Sequence, residues 1–452
     1  MNIVPTPALL IFAAVIIGFN VATVFISKKL PGFIITTVIS ILVTAVLAYA
    51  LTAVIKSDKA LSKVTGYTGT EIVNMSIFVR SEDPIAAVSD LKNETVGYVS
   101  EEKSAEDVIR SIDEVTGNGV DYITGENILN VIDSLLNKEC KAIIINSAYL
   151  DVVSEQVGYE DLSDKIRELN VYTVEVETPV EEKVEPQIEY LYNLDSDEDR
   201  FVVYISGIDM WGWVNARSRS DVNILAVVNT KTNHIQLINT PRDYFVYLPI
   251  QDGMDKLTHA GLYGIDSSKA ALENLYGIKI DYYLKMNFSG FERIVDSLGG
   301  IDVYSQYDFT VEPIKHYTVG YNHVTGLEAL AFARERYALP GGDVTRGANQ
   351  MEVIKAVFNK MTSPAILTNY DEVLDNLDGF IMTDMPQEVI YDLVRYQLTT
   401  GKSWTIDSIS VTGRGESSTT YSIPDAECYV MIPNEEEVKK AMDLMDSVLS
   451  EE

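Results

Sequence analysis

Two long apolar segments open the chain. Residues 8–26 and 33–55 contain no charged side chain. Each is long enough to cross, as a helix, a hydrocarbon layer roughly 30 Å thick. A cleaved signal peptide is not favoured, because residues 1–7 contain no basic side chain. The pattern predicts a membrane anchor over residues 1–62 with two transmembrane helices.

The lysines near these segments do not decide the orientation of the anchor. Lys28 and Lys29 lie in the short loop, whereas Lys56, Lys59 and Lys63 follow the second apolar segment, so the positive-inside rule gives no clear answer. If the short loop is cytoplasmic, everything after residue 55 lies outside the cell. That arrangement predicts a cell-membrane protein whose soluble part is extracytoplasmic.

Beyond the anchor, short β-rich runs alternate with stretches of helical periodicity. The predicted strands are residues 72–79, 95–99 and 141–146, and the predicted helices are residues 105–115 and 125–136. This alternation predicts a small accessory α/β domain over residues 66–177, in which no residue stands out as candidate chemistry. Residues 178–199 are acidic and proline-bearing, which is typical of a linker.

A different pattern runs over residues 200–452. Residues 201–205 and 223–228 are apolar and β-rich, and residues 234–239 follow a turn, which predicts a hairpin. Predicted helices follow at residues 267–275, 290–298, 327–334 and 345–361. The mixture predicts a three-layer α/β or α+β domain, so the fold class of the soluble part is α/β (mixed α+β).

The net charge and the cysteine content argue against two classes of function. The formal net charge of −32 argues against nucleic acid as a partner, since a nucleic-acid binder needs a basic surface to displace counterions. Any anion site must therefore be local. The two cysteines, Cys140 and Cys428, lie far apart without metal-ligand spacing.

An arginine continues the apolar stripe of the helix near residue 326. That helix opens with a capping box, Thr325 with Glu328, and carries Arg334 at its end. A guanidinium on a buried face needs an acidic side chain or a bound anion as its partner, so a structural ion pair and an anion site both fit Arg334. Arg336 lies two residues further on and would face away in a regular helix.

The next predicted helix repeats this feature. Arg346 and Gln350, one turn apart, lie at the margin of its apolar stripe. Helix N-termini favour anions, and an arginine beside one indicates a phosphate site. Asp343 stands near the same N-terminus, where capping explains an aspartate as well as a functional role does.

Further polar residues stand at the predicted strand ends, where sites are commonly built. Asp209 follows the first strand, Arg219 and Asp221 precede the second, and Arg242 follows the third. Asp209 and Asp221 can jointly hold Mg²⁺, which prefers one or two carboxylates plus phosphate oxygens. Arginine is suited to bidentate binding of phosphate, and the surrounding apolar residues suit either a lipid tail or ordinary core packing.

Five segments in one order resemble the LytR-CpsA-Psr family. They are residues 217–225 (RSRSDVNIL), 240–243 (TPRD), 256–260 (KLTHA), 326–337 (GLEALAFARERY) and 342–350 (GDVTRGANQ). The resemblance covers residues 201–411. It implies a three-layer α/β/α catalytic domain and an enzyme that transfers a glycan from polyprenyl pyrophosphate to peptidoglycan.

The resemblance also implies residue roles. The metal carboxylates are Asp209 and Asp221, with Mg²⁺ or Mn²⁺ as the cofactor. The pyrophosphate-binding residues are Arg219, Arg242, Arg334, Arg336, Arg346 and Gln350. The catalytic residues are Arg242, Asp343 and Arg346, where Asp343 either orients an arginine or assists proton removal. Pyrophosphate hydrolysis is an implied side activity.

Two membrane helices followed by an extra α/β domain resemble the capsule-associated streptococcal CpsA branch, which implies capsular polysaccharide or a teichoic-acid-like polymer as the donor. The implied partners are this lipid-linked glycan, the peptidoglycan acceptor and membrane lipid. The competing hypothesis is a non-catalytic membrane protein that binds the lipid-linked glycan and regulates capsule or wall assembly. A transcriptional role conflicts with the anchor and the acidic surface.

Overall fold

The computed structural model describes residues 70–177, 199–208, 214–363 and 379–452, with a few isolated positions before residue 70. The predicted transmembrane helices, apart from Gly18 and Val43, lie outside this part of the chain, as do Asp209 and the predicted linker up to residue 198. Among the described residues, no helix is long and apolar enough to cross a membrane.

The first domain is a mixed sheet with helices on both faces. Its strands are β1 (Thr70–Arg80), β2 (Thr95–Val99), β3 (Asp121–Gly125), β4 (Ala142–Asn146) and β5 (Ile166–Glu177). Its helices are α1 (Ala105–Thr116), α2 (Ile128–Leu136), α3 (Tyr149–Ser154) and α4 (Leu162–Lys165), with a 3-10 helix at Val88–Leu91. Within the described residues the strand order is β3-β2-β4-β1-β5. Parallel pairing joins β2 to β3 and β4, whereas β1 is antiparallel to β4 and β5.

Side-chain alternation along these strands builds two separate cores. Met75 and Ile77 pack on one face with Val108 of α1, whereas Phe78 packs on the other face with Ile132 of α2. The predicted strands and helices of this domain are confirmed. The structure also contains two strands that were not predicted, β3 and β5, which lie at the two edges of the sheet. Most of their side chains are exposed or half-buried, so neither strand has the buried apolar run that would predict it.

The second domain is built on one larger sheet with smaller hairpins around it. Its strands are β6 (Arg200–Ile208), β7 (Ser220–Asn229), β8 (His234–Asn239), β9 (Phe245–Leu248), β10 (Gly253–Lys256), β11 (Tyr282–Asn287), β12 (Ile301–Ser305), β13 (Phe309–Val311), β14 (Lys315–Tyr317), β15 (Gly320–Val324), β16 (Ile381–Thr383), β17 (Thr405–Ser410), β18 (Gly413–Thr419) and β19 (Glu427–Pro433). Among the described residues, the central sheet has the order β16-β11-β6-β7-β8-β17.

The helices of this domain cover the central sheet. They are α5 (Leu257–Ala260), α6 (Ile265–Tyr276), α7 (Phe288–Ser297), α8 (Gly326–Arg334), α9 (Asp343–Met361), α10 (Gln387–Thr400) and α11 (Glu435–Ser450), with a 3-10 helix at Gly261–Tyr263. Tyr204 of β6 packs with Leu272 of α6 and Met445 of α11. Phe201, on the opposite side of the same strand, packs with Met351 of α9. The sheet therefore lies between two helical layers, in agreement with the predicted mixed α/β class.

The predicted hairpin of β7 and β8 is confirmed by their antiparallel register, Asn229 opposite His234. Its turn uses asparagines for two reasons. The Asn229 side-chain oxygen accepts the backbone N–H of Lys231 at 3.0 Å, and Asn233 adopts a φ of 56°, a left-handed conformation that asparagine tolerates better than most residues. The hairpin places Arg219 at one strand start and Arg242 just after the other strand's end.

A smaller lobe packs beside the central sheet. Val295 of α7, Phe332 of α8 and Val353 of α9 belong to one buried cluster with Val303 of β12 and Val324 of β15. The cluster fixes the three helices relative to one another. The predicted capping box at the start of α8 is confirmed, since Thr325 N–H donates to the Glu328 carboxylate at 2.9 Å.

Candidate active site

A cavity of about 940 Å³ lies where the ends of β6, β7 and β11 meet α7, α8 and α9. Most of its wall is apolar. The apolar lining includes Ile205, Met286, Phe288, Phe291, Leu330, Val353, Ile354, Val357 and Phe358. A wall with this many apolar side chains suits a hydrocarbon chain better than a polar ligand.

Arginines from distant parts of the sequence lie around the same cavity. The predicted site residues that line it are Arg219, Asp221, Arg242, Arg334, Arg336, Arg346 and Gln350. Their positions follow from the fold, because β7, the segment after β8, the end of α8 and the first turns of α9 all meet there. The arrangement can bind an anion at one part of the cavity and an apolar chain at another.

Arg242 and Asp221 form the best defined pair. Arg242 Nη1 donates to Asp221 Oδ1 at 3.0 Å, and the Thr258 hydroxyl donates to the same oxygen at 3.1 Å. Burial raises the pKa of Asp221, but the charges of Arg242 and Arg219 outweigh burial and hold its pKa below the ordinary value. Burial lowers the pKa of Arg242, and Asp221, Asp243 and Glu155 reverse that effect and raise it. Both groups are therefore charged at neutral pH.

Two acidic residues of the first domain reach this cluster. Arg219 Nη2 lies 2.9 Å from Asp151 Oδ2, and Arg219 Nη1 lies 2.9 Å from Glu155 Oε1. Glu155 also lies 3.7 Å from Arg242 Nη2. Neither acid is among the residues predicted from the sequence, where the first domain offered no candidate chemistry. Their only sequence signal is a four-residue spacing, which places two carboxylates on one helical face but is common on solvated helices.

Lys256 is a further unpredicted member of the cluster. Its side chain is only 2% exposed, and its Nζ donates to Glu155 Oε2 at 2.7 Å and lies 3.3 Å from Asp243 Oδ1. Burial lowers the pKa of Lys256, while Asp243 and Glu155 raise it, with a net increase. Lys256 is thus a buried lysine that keeps its charge because two carboxylates contact it.

The surroundings of Arg334 differ from the sequence expectation. Leu330 and Ala331 of its stripe are buried, as expected, but Leu327 is 52% exposed and Arg334 itself is exposed, and all four residues line the cavity. The Arg334 guanidinium lies 4.4 Å from the centre of the Phe288 ring, a cation–π contact that orients it without neutralising its charge. Arg336 lies past the end of α8 and stacks on the exposed Tyr337 ring at 4.6 Å.

The last two predicted site residues are Asp343 and Asp209. Asp343 is the first residue of α9, and Gly342 occupies the N-cap position, so capping does not account for the aspartate. The structure describes the backbone of Asp343 but not its side chain, and it does not describe Asp209. Among the described residues, there is no group of three or more acidic, histidine or cysteine residues that could hold a metal ion.

The second domain is thus an α/β/α domain with a largely apolar cavity bordered by arginines. The model of the LytR_cpsA_psr family matches residues 166–442, which is more than half of the chain. The protein belongs to this family.

Named relatives extend the comparison. The polyisoprenyl-teichoic acid–peptidoglycan teichoic acid transferase TagU of Bacillus cereus is 35% identical over 192 residues, which is 42% of this chain and 62% of the relative. The correspondingly named TagT of Bacillus subtilis is 30% identical over 292 residues, 62% of this chain and 86% of the relative. The matched region thus spans less than two thirds of TagU.

Two solved structures align with part of this chain. The structure of TagT bound to LIIa-WTA aligns with a TM-score of 0.47 at 25% identity, covering 57% of this chain and 95% of that chain. The crystal structure of Bacillus subtilis TagV also aligns with a TM-score of 0.47, at 24% identity, covering 57% of this chain and all of that chain.

Proposed function

We propose that this protein is a phosphotransferase that attaches an anionic glycopolymer from a polyprenyl-pyrophosphate carrier to peptidoglycan. One observation carries the proposal: a single cavity joins a long apolar wall to a cluster of arginines. A polyprenyl pyrophosphate has the same two parts, a hydrocarbon chain and a doubly charged head. The names of TagU and TagT, which describe transfer of teichoic acid to peptidoglycan, agree with this chemistry.

The cavity suggests how the donor is held. Its hydrocarbon chain would lie against Phe288, Leu330 and Phe358. Its pyrophosphate would meet Arg219 and Arg242, with the remaining arginines and Gln350 closing the other side. Bidentate guanidinium–phosphate contacts would fix the phosphorus in one orientation.

The reaction then exchanges one P–O bond for another. An acceptor sugar hydroxyl forms a bond to the glycan-side phosphorus, the bond from that phosphorus to the bridging oxygen breaks, and polyprenyl monophosphate leaves with the electron pair. The arginines stabilise the charge that gathers on the leaving phosphate. Asp343, at the start of α9, would either orient an arginine or accept the hydroxyl proton. Water in place of the sugar hydroxyl would give pyrophosphate hydrolysis.

Mg²⁺ or Mn²⁺ bound at this site would supply positive charge to the phosphates. Asp221 fits the role of a ligand, because it is anionic and lines the cavity. Its hydrogen bonds from described residues both fall on Oδ1, which leaves Oδ2 for a cation. Asp209 is the proposed second carboxylate.

The proposed location is the cell membrane, with the catalytic domain extracytoplasmic. The two uncharged segments, 8–26 and 33–55, support an anchor among membrane lipids, and both the donor and peptidoglycan are found on the outer side of that membrane. The proposed donor polymer is capsular polysaccharide or a teichoic-acid-like polymer, following the resemblance to the capsule-associated branch.

One observation favours a second candidate, a non-catalytic binder that regulates capsule or wall assembly. Asp151 and Glu155 pair with the same arginines that would bind the donor, as expected if the first domain controls occupancy of the site. Such a binder would need the arginines but not the metal carboxylates.

The test uses the full chain in detergent with a short polyprenyl-pyrophosphate glycan and peptidoglycan. We expect Arg242→Ala to lower Mg²⁺-dependent transfer by about a hundredfold or more, in line with the loss of one group that stabilises transition-state charge. Arg414→Ala is the matched control, since Arg414 lies in the same domain, is exposed and pairs with Glu416. Tight donor binding without turnover in the wild type would instead favour the binder.

A further inference from the structure

The short helix α3 connects the two domains through charge. Asp151 and Glu155 extend from this helix of the first domain to Arg219 of the second, and Glu155 also reaches Lys256. These carboxylates lie at the cavity itself, because Asp151, Ser154 and Glu155 line it together with Arg219 and Arg242.

Local charge balance shows what the two acids do. Arg219, Arg242 and Lys256 carry three positive charges, and Asp221 and Asp243 contact them with two negative charges, which leaves +1. Asp151 and Glu155 change that sum to −1. An anionic ligand that approaches Arg219, Arg242 and Lys256 would thus meet three cations whose positive charge is already outweighed, and it would bind them well only if the two carboxylates moved away.

Both acids are suited to such an exchange. Burial raises the pKa of Glu155, but Lys256, Arg219 and Arg242 outweigh burial and keep it below the ordinary value, so Glu155 is an ionised carboxylate at neutral pH. The Asp151 side chain is 68% exposed and that of Glu155 is 28% exposed. Each can therefore rotate towards solvent while the backbone of α3 stays in place.

The backbone of α3 is held firmly. Val152 and Val153 are fully buried in a cluster that also contains Leu262 and Ile423 of the second domain. Contacts across the domain boundary therefore hold the backbone that carries the acids beside the arginines.

We infer that Asp151 and Glu155 are an intramolecular counter-anion that occupies the phosphate-binding cations and is displaced by the incoming pyrophosphate. The inference rests on the proposed function, and it gives the first domain a role: it sets the affinity of the site for anions. A ligand must therefore offer enough negative charge to replace two carboxylates.

The experiment measures binding of farnesyl pyrophosphate to the full chain by calorimetry. We expect Glu155→Gln to tighten binding by about tenfold, and Asp151→Asn to tighten it by about threefold, because each substitution removes a competing charge. Glu106→Gln is the matched control, since Glu106 is an exposed acid on α1 of the same domain and should leave affinity unchanged.

The outcomes separate this inference from the proposed function. Unchanged or weaker binding in Asp151→Asn, whose exposed side chain does not endanger folding, would overturn the inference, provided that Arg242→Ala weakens binding. Loss of thermal stability without tighter binding would show that the acids only hold the domains together, which also overturns it. If Arg242→Ala leaves binding unchanged, the proposed function fails as well.

Discussion

At the scale of single residues, two largely buried cations near the domain boundary have polar partners. Arg217 Nε donates to Glu71 Oε2 at 2.6 Å, and Lys285 Nζ donates to the Ala216 carbonyl at 2.9 Å. Burial lowers the pKa of Lys285 to about 8, with Glu71 opposing and Arg217 adding to that decrease. Lys285 is thus the member of this group whose charge depends most on pH.

This predicts a pH-dependent stability. The unfolded lysine titrates near 10.5 and the folded lysine near 8, so between these values the unfolded chain binds more protons and stability rises with pH. The cost of burying the charge is present in full below pH 8 and is relieved by pH 10.5. We expect Lys285→Met to remove about 3 kcal/mol of this rise in unfolding free energy, measured by urea unfolding at several pH values.

Lys440→Met on the exposed face of α11 is the matched control and should keep the pH dependence of the wild type. Parallel curves for Lys285→Met and the wild type across this range would contradict the prediction.

At the scale of elements, the position of α9 decides where Arg346 and Gln350 lie. Gly347, the residue after Arg346 in the helix, faces the end of the sheet so closely that a Cβ atom would collide with the side-chain amide of Asn239. Asn239 is itself held by a hydrogen bond to the Ser410 hydroxyl at 3.2 Å. Helix and sheet therefore approach one another at a distance that only glycine permits.

Gly347→Ala should shift the helix and the two site residues with it. We expect a loss of about 1–3 kcal/mol of stability, typical of overpacking, and weaker binding of farnesyl pyrophosphate. Thermal unfolding and calorimetry measure the two effects. Gly119→Ala is the control, because its nearest contact is the flexible side chain of Lys92. Wild-type affinity in Gly347→Ala would show that the spacing of α9 does not position the site.

At the scale of the whole molecule, the two domains share apolar surface as well as charge. Leu262 and Ile423 of the second domain belong to the same buried cluster as Phe78 and Ile132 of the first, and Ile423 is fully buried. Asn127 of the first domain also donates to Asp425. A shared apolar cluster couples the unfolding of the two domains.

Ile423→Asp should break that coupling. A buried charge without a partner is costly, so the domains should separate and unfold in two calorimetric transitions, whereas the wild type unfolds in one. The exposed Val319 supplies a control, since Val319→Asp adds the same charge at the surface. A single unshifted transition in Ile423→Asp would show that the shared cluster does not hold the domains together.

The sequence by itself determined the elements and the family. Apolar periodicity is a local property, so it predicted six of the eleven α-helices in the described residues, the hairpin of β7 and β8, and the mixed α/β class. Most of the motif arginines were identified because they stand beside a strand end or on a helix stripe, where a charged side chain next to apolar neighbours is unusual. The predicted membrane helices and Asp209 remain predictions.

Only the tertiary structure showed which residues contact the site arginines. Asp151 and Glu155 lie more than sixty residues from the arginines they contact, and nothing in their local sequence distinguishes them from a solvated pair. Lys256 belongs to a family motif, but the motif did not reveal that its side chain is buried. Long-range contacts depend on how the sheet and the two domains pack together. Patterns in a single sequence are local, so they do not predict these contacts.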